Sequence, residues 1–456
     1  MKNNKKWKLK RWQKFWTPAR ILVIGFATLI LLGSILLSLP IASENGQGLP
    51  FHDALFTATS AVCVTGLVVV DTATYFSTFG EVVIITLIQV GALGFMTVAT
   101  FVLMFTGKRI GLKERLLIQE SLNVTSLEGL IRLTRNVVLF TLGIELFFAM
   151  LLTIRFAQDF TFGRALYYGI FHAISAFCNA GFDLFGDYKS VADYVGDPLV
   201  NLSLMGLIVL GGLGFTVMVD LGRKTASRKH RLSVHTKLVL IMSFALLVLG
   251  TLGYYELEHN NPGTMANLSD GDKWLASAFA STTARTAGYA SVNYETMSEG
   301  GQFWTVLLMF VGASPGSTGG GIKTVTTLVI ILFVWTVITN KEHTVVYRRS
   351  VSARVIYKSL TIAVISAMTI ILATMLLVLT DGKEFLRLLF ESTSAFATVG
   401  LSTNLTPVLS DAGQLVIMIM MFIGRLGPLT IALALAARAT RNKGDVRYPE
   451  GNLYVG

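Results

Sequence analysis

The sequence predicts an all-α polytopic membrane protein: four like-oriented units, each with two crossings and a half-helix between them, around one pseudo-fourfold pore. Three observations predict it. First, at 53% hydrophobic and 14% charged, the chain is far poorer in charge than soluble domains, where about a quarter of residues ionise. Second, the phrase Phe-x-x-x-Ser-Ala-x-x-x-x-Gly recurs between apolar segments. It stands at Phe56/Ser60/Ala61/Gly66, Phe171/Ser175/Ala176/Gly181 and Phe390/Ser394/Ala395/Gly400, with a worn copy at Ala278/Thr282/Thr283/Gly288 that lacks the Phe. Its glycines lie roughly 110 residues apart, the mark of a copied unit. Third, most basic residues gather on alternate segments.

In chain order, a basic N-terminus (1–19) precedes units at 20–110, 134–222, 236–340 and 356–438, and a tail follows at 439–456. Segments 21–39, 137–156, 238–255 and 360–379 open the units; 82–105, 202–221, 303–337 and 415–437 close them. Each approaches or exceeds the roughly 20 residues that cross the hydrocarbon core, so eight crossings are expected. Segment 21–39 is long for a signal-peptide core and matches the other opening crossings.

The net charge of +11 raises nucleic acid as a partner, but its distribution argues against it. Most of the 38 basic residues fall in 2–20, 108–135, 223–237, 341–358 and 438–447. Eight crossings place all five on one side, which the positive-inside rule makes cytoplasmic. A multi-pass plasma-membrane protein with both termini inside follows. The outward segments carry Asp183, Asp187, Asp193, Asp197, Glu256, Glu258, Asp270 and Asp272, either a cation-concentrating vestibule or ordinary solvated loops. Cys63 and Cys178, each three residues before a recurring glycine, read as small buried residues, not a disulfide framework.

Between its crossings each unit has a stretch too short to span twice, such as 51–61 or 166–176. This suits a half-helix that dips in and returns as extended chain, tolerated at that depth only where protein or a water-filled cavity surrounds it. Glycine lets such a chain turn without Cβ strain. The expected ion-binding residues are Val64, Thr65 and Gly66; Asn179, Ala180 and Gly181; Thr286, Ala287 and Gly288; Thr398, Val399 and Gly400. Thr398-Val399-Gly400 and Gly288-Tyr289 are pieces of the Thr-Val-Gly-Tyr-Gly potassium filter, whose carbonyls replace the ion's water. Helix-packing glycines of the small-xxx-small kind explain neither the spacing nor the Ser-Ala prefix.

The returning segments carry a second recurrence: Gly91/Gly94, Gly211/Gly214, Gly312/Pro315 and Gly424/Gly427. The third runs through Ala313, Ser314, Pro315, Gly316, Ser317, Thr318, Gly319, Gly320, Gly321 and Lys323, which a helix does not easily accommodate. We read 313–323 as an intramembrane loop beneath the filter, and as the gate. A nucleotide P-loop fails because Ile322 separates Gly321 from Lys323. Arg425 sits at the bend of the last returning segment, where a positive charge under the filter slows cation flux. The competing expectation is an ion pair with Glu391 or Glu145. Lys323 is expected to reach cytoplasmic water, Arg285 to point behind the filter, and His172 to be packed. No metal-ligand set and no nucleophile–base pair suggests catalysis, so the chain is not expected to be an enzyme.

On the four glycines, the broken third return and Arg425 after Gly424, the chain resembles the Trk/Ktr/HKT superfamily of cation transporters, most closely the membrane subunit of Ktr-type potassium uptake systems. The resemblance covers essentially all of 16–438. It implies a homodimer in membrane lipid with one pore per protomer, resting on a cytoplasmic ring of nucleotide-binding regulatory subunits whose ligand opens the loop. No cofactor is implied in this chain; the nucleotide belongs to the partner. Some relatives depend on sodium. Gly66, where plant members with sodium selectivity carry Ser, favours potassium. The rivals are a secondary transporter with another substrate at broken helices, which predicts inverted repeats, and a non-conducting sensor tolerant of losing the glycines.

Overall fold

A computed structural model describes residues 18–94, 97–98, 130–227, 229–428 and 430–431. The basic N-terminus, the segment around 108–129 and the tail lie outside them. Four helices among the described residues are long and apolar enough to cross a membrane: α1 (Pro18–Leu37), α4 (Leu130–Phe156), α8 (Val234–Glu258) and α12 (Ala353–Asp381). Each packs on the short helix that follows it, respectively α2 (Phe51–Cys63), α5 (Phe162–Cys178), α9 (Asp270–Thr283) and α13 (Phe385–Ala397).

The long helices turn apolar residues outward. On α4, Leu139, Leu142, Leu146, Phe147, Met150 and Ile154 are all exposed, a belt that only an apolar solvent accommodates. The short helices bury hydroxyls: α2 encloses Thr57, Thr59 and Ser60, and α13 encloses Ser392, Thr393 and Ser394. Apolar outside and polar within is the distribution a lipid-facing bundle requires.

The return elements are α3 (Thr78–Leu93), α6 (Pro198–Leu213) with α7 (Phe215–Ala226), α10 (Glu299–Phe310) with α11 (Thr324–Ile338), and α14 (Asp411–Leu426). None of the four runs as one continuous helix. Segment 82–105 breaks at Gly94 (φ 79°), 202–221 at Gly214 (φ 94°), and 415–437 at Gly427 (φ 83°). Positive φ ends an α-helix wherever it falls. At Gly214 the axis turns by 102°. Segment 303–337 is split by non-helical chain between α10 and α11, where Pro315 and five glycines cannot sustain intrahelical bonds. Side-chain caps start the returns: Ser77, Ser298 and Ser410 accept from the N–H of Gly80, Gly301 and Gly413, and Asp197 caps α6.

The returns also fix how the four quarters meet. Across the quarters, α3 packs on α5, α6 on α9, α10 on α13, and α14 on α2. The series runs once round and closes on its beginning. A small antiparallel hairpin, Val345–Val346 with Arg349–Ser350, lies between α11 and α12.

Candidate functional site

The recurring serine and glycine act together where each short helix ends. The Ser60 carbonyl accepts from the Thr65 N–H at 2.8 Å, and its hydroxyl accepts from the Gly66 N–H at 3.0 Å. Ser394 does the same for Val399 at 2.8 Å and Gly400 at 3.1 Å. The Ser175 carbonyl accepts from Ala180 at 2.8 Å, while its hydroxyl donates to the Phe182 carbonyl at 2.8 Å. In the worn copy the task moves to Thr283, whose carbonyl accepts from Ala287 at 2.9 Å and whose hydroxyl donates to Tyr289 at 2.7 Å. The turn there is one residue tighter.

These bonds hold the backbone in an unusual state. Val64, Asn179, Thr286 and Thr398 have φ of 58°, 61°, 74° and 52°. Left-handed conformation costs an L-residue about 1–2 kcal/mol, and for β-branched Val and Thr it is an outlier. Strain of this kind persists only where surroundings over-determine it, and it concentrates at functional sites.

The four strings converge. A Cβ added at Gly66 would run into the Ala180 carbonyl oxygen; at Gly181, into that of Ala287; at Gly288, into that of Val399; at Gly400, into that of Thr65. Each glycine thus abuts the middle carbonyl of the next string, and the fourth abuts the first. Eight of the twelve residues singled out in the sequence make these contacts, and the other four, Val64, Asn179, Thr286 and Thr398, precede them in their strings. Side chains tie neighbouring strings together: the Asn179 carboxamide lies 3.0 Å from the Thr286 hydroxyl, and the Tyr289 hydroxyl donates to the Phe182 carbonyl at 3.0 Å. Neither link has a signature in the spacing.

Behind the strings, Arg285 is buried and donates to the Ser243 carbonyl and hydroxyl at 3.3 and 3.1 Å. His172 is packed against Phe185, ring centroids 4.5 Å apart. Its Nδ1 meets the Tyr168 carbonyl at 2.7 Å, leaving Nε2 to accept from the Leu184 N–H at 3.3 Å. Glu391 accepts from Ser402 at 2.7 Å, from the N–H and hydroxyl of Thr403 at 2.8 and 3.2 Å, and from Thr406 at 2.6 Å. Glu145 meets Gln89 at 3.3 Å. Cys63 and Cys178 are buried and unbridged.

The segment between α10 and α11 lies against the near end of two strings: a Cβ at Gly319 would strike the Thr286 hydroxyl, and one at Gly320 the Thr398 hydroxyl. It is fastened to the broken second return. Ser314 N–H donates to Gly212 at 3.0 Å, Thr318 N–H to Gly211 at 3.3 Å, and Phe215 N–H to Gly316 at 2.8 Å. The helix break at Gly214 frees these backbone groups, and the loop uses them.

Two cations bind backbone carbonyls. Lys323 is half-buried beside a cavity, and its Nζ donates to the carbonyls of Gly319 and Gly320 at 2.7 and 3.2 Å. Arg425 pairs with neither Glu391 nor Glu145. Its guanidinium donates to the carbonyls of Thr318 and Gly91, and to Ala92 at 3.0 Å. Carbonyls left unpaired by the breaks have displaced a carboxylate as its partner. A cavity of about 260 Å³ opens beside Gly91, Gly94, Phe215, Gly319, Lys323 and Arg425.

An apolar-clad helical bundle enclosing a ring of strained backbone carbonyls is the build of a membrane transport protein. The chain belongs to the TrkH family of cation transport proteins, whose model matches residues 2–443. It is 44% identical over 449 residues to the Ktr system potassium uptake protein B of Bacillus subtilis, covering 98% of this chain and 99% of that one. Identity to the protein of the same name from Vibrio alginolyticus is 41%, covering 96% and 94%. The potassium/sodium uptake protein NtpJ of Enterococcus hirae is 36% identical, covering 98% and 99%. The crystal structure of the potassium transporter TrkH from Vibrio parahaemolyticus shares the fold, with a TM-score of 0.71 at 18% identity, over 92% of this chain and 85% of that one.

Proposed function

We propose that this chain is the ion-translocating membrane subunit of a potassium uptake system, conducting potassium down its electrochemical gradient through one pore enclosed by four like-oriented units. The observation that carries the reading is the closed ring in which each recurring glycine abuts the next string's carbonyl. A ring of converging carbonyls replaces a cation's hydration shell. The short helices turn their C-terminal ends to it, and that end of the dipole favours positive charge. Relatives named for potassium uptake support the choice of ion, and the relative named for both ions makes sodium the competitor to test.

In this reading the outer carbonyls of the strings dehydrate the ion, and the ion then meets the loop 313–323. The loop is the gate, closed while its backbone is bonded to the second return and to Arg425. A cytoplasmic nucleotide-binding partner acts on it in a homodimeric assembly, with both termini on the cytoplasmic face of the plasma membrane. The Ktr naming of relatives supports a multi-subunit system.

The test is potassium against sodium flux in proteoliposomes for the wild type and Gly66→Ser. Potassium-preferring flux that loses its preference in the variant is expected, because the added side chain drives into the Ala180 carbonyl. Equal flux of the two ions, unchanged by the substitution, would overturn the assignment.

A further inference from the structure

His172 and Glu391 occupy the same position in their units, one residue after the recurring Phe171 and Phe390. Both are fully buried. Both reach the same place: His172 accepts from the N–H of Leu184 and Glu391 from that of Thr403, each three residues beyond the glycine of its string. One is an imidazole and the other a carboxylate, yet each supplies an acceptor to the outgoing strand at the same level.

The other two units lack this bond. Thr57 and Phe279 stand at the matching positions. The Thr57 hydroxyl donates back to Asp53 in its own helix, and a phenyl ring has no acceptor to offer. In the third unit the residue three beyond the glycine is Ser291, whose buried hydroxyl has no partner. In the cyclic order of the ring, the braced second and fourth strings are diagonal to each other.

A buried carboxylate is expensive to desolvate unless it is fully hydrogen-bonded, and four donors converge on Glu391. His172 is held in one tautomer by Tyr168 and in one plane by Phe185. Packing alone would be served by the Phe found in the third unit. What His and Glu add is a directional acceptor fixed to a rigid helix, at the exit of a carbonyl ring whose spacing decides which ion it fits.

Resting on the potassium-filter reading, we propose that His172 and Glu391 are a diagonal pair of positioning residues that fix the spacing of the outer carbonyl ring and so set its preference for potassium over sodium. They touch no ion; they act through the strands leaving the second and fourth strings.

The experiment measures the potassium-to-sodium flux ratio in proteoliposomes for the full chain, with His172→Phe, His172→Gln, Glu391→Gln, Glu391→Met and Thr57→Val. Thermal stabilisation by KCl against NaCl is read on the same samples, so that a folded variant with no flux still reports. His172→Phe is expected to lower the ratio by at least about fivefold, the low end of coupling between distinct sites. His172→Gln, which keeps an acceptor, restores most of it, and Thr57→Val leaves it unchanged. Glu391→Gln keeps an amide oxygen for the Thr403 N–H and most of the ratio, whereas Glu391→Met, of similar length with no such acceptor, lowers it. An unaltered ratio in folded His172→Phe and Glu391→Met overturns the proposal, as does an equal fall in Thr57→Val. A wild type with no potassium preference fails the filter reading itself; a preferring wild type with indifferent variants fails only the brace.

Discussion

If the strings open outward as proposed, one carboxyl beside them gives that mouth a titration of its own. Asp183 follows the second string, and burial pushes it up to about 7, with the N–H groups of Phe185 and Gly186 opposing and Asp71 adding to the rise. The group is ionised above that pH and neutral below it, so acidifying the outer side removes a negative charge from the mouth. Cation flux is expected to fall as external pH drops through about 7, and Asp183→Asn to flatten the profile at its low-pH level. A stopped-flow flux series against external pH checks both. The recurring serines and glycines were legible as residues because one chain carries the pattern several times over, which makes spacing informative without any second sequence. His172 and Glu391 were not, since no shared residue type marks a position where imidazole and carboxylate do the same work.

Elements were legible in composition and only partly legible in continuity: the break at 313–323 was readable, the others less so. Hydropathy registers that 202–221 and 415–437 are apolar, but it does not register a glycine at positive φ, and the breaks at Gly214 and Gly427 follow from that one dihedral. The partners of Arg425 were hidden for the same reason: carbonyls released by a helix end have no side-chain signature, so a carboxylate seemed the natural mate. Close approach between elements is equally specific. A Cβ at Gly424 would collide with the Phe396 carbonyl at the end of α13. Gly424→Ala is therefore expected to destabilise by about 1–3 kcal/mol, the range for overpacking. Ser410→Ala, which removes only the cap of α14, should cost about 1 kcal/mol. Thermal unfolding in detergent should rank the two in that order.

On the scale of the molecule, Arg425 joins parts that are far apart in sequence. From the last return it holds Thr318 in the loop and Gly91 and Ala92 in the first return. Charge-assisted bonds are roughly twice as strong as neutral ones, and their loss weights the equilibrium towards a released loop. Arg425→Gln is expected to raise basal flux roughly tenfold, within the 1–3 kcal/mol usual for coupling between sites. Flux measured without any cytoplasmic partner reads the effect directly, and a flux no higher than that of the wild type would remove the loop-fastening role.

The closed order of the ring also bears on how the protein is made. Gly400 abuts Thr65, so the first string has no neighbour on one side until the last quarter of the chain has left the ribosome. Until then, the strained backbone of that string faces a bilayer that offers no water to satisfy its polar groups. A nascent chain of three quarters is an open cup with polar walls, and the membrane must shelter that cup, through lipid, translocon or a second nascent chain, for as long as translation takes to supply the missing side.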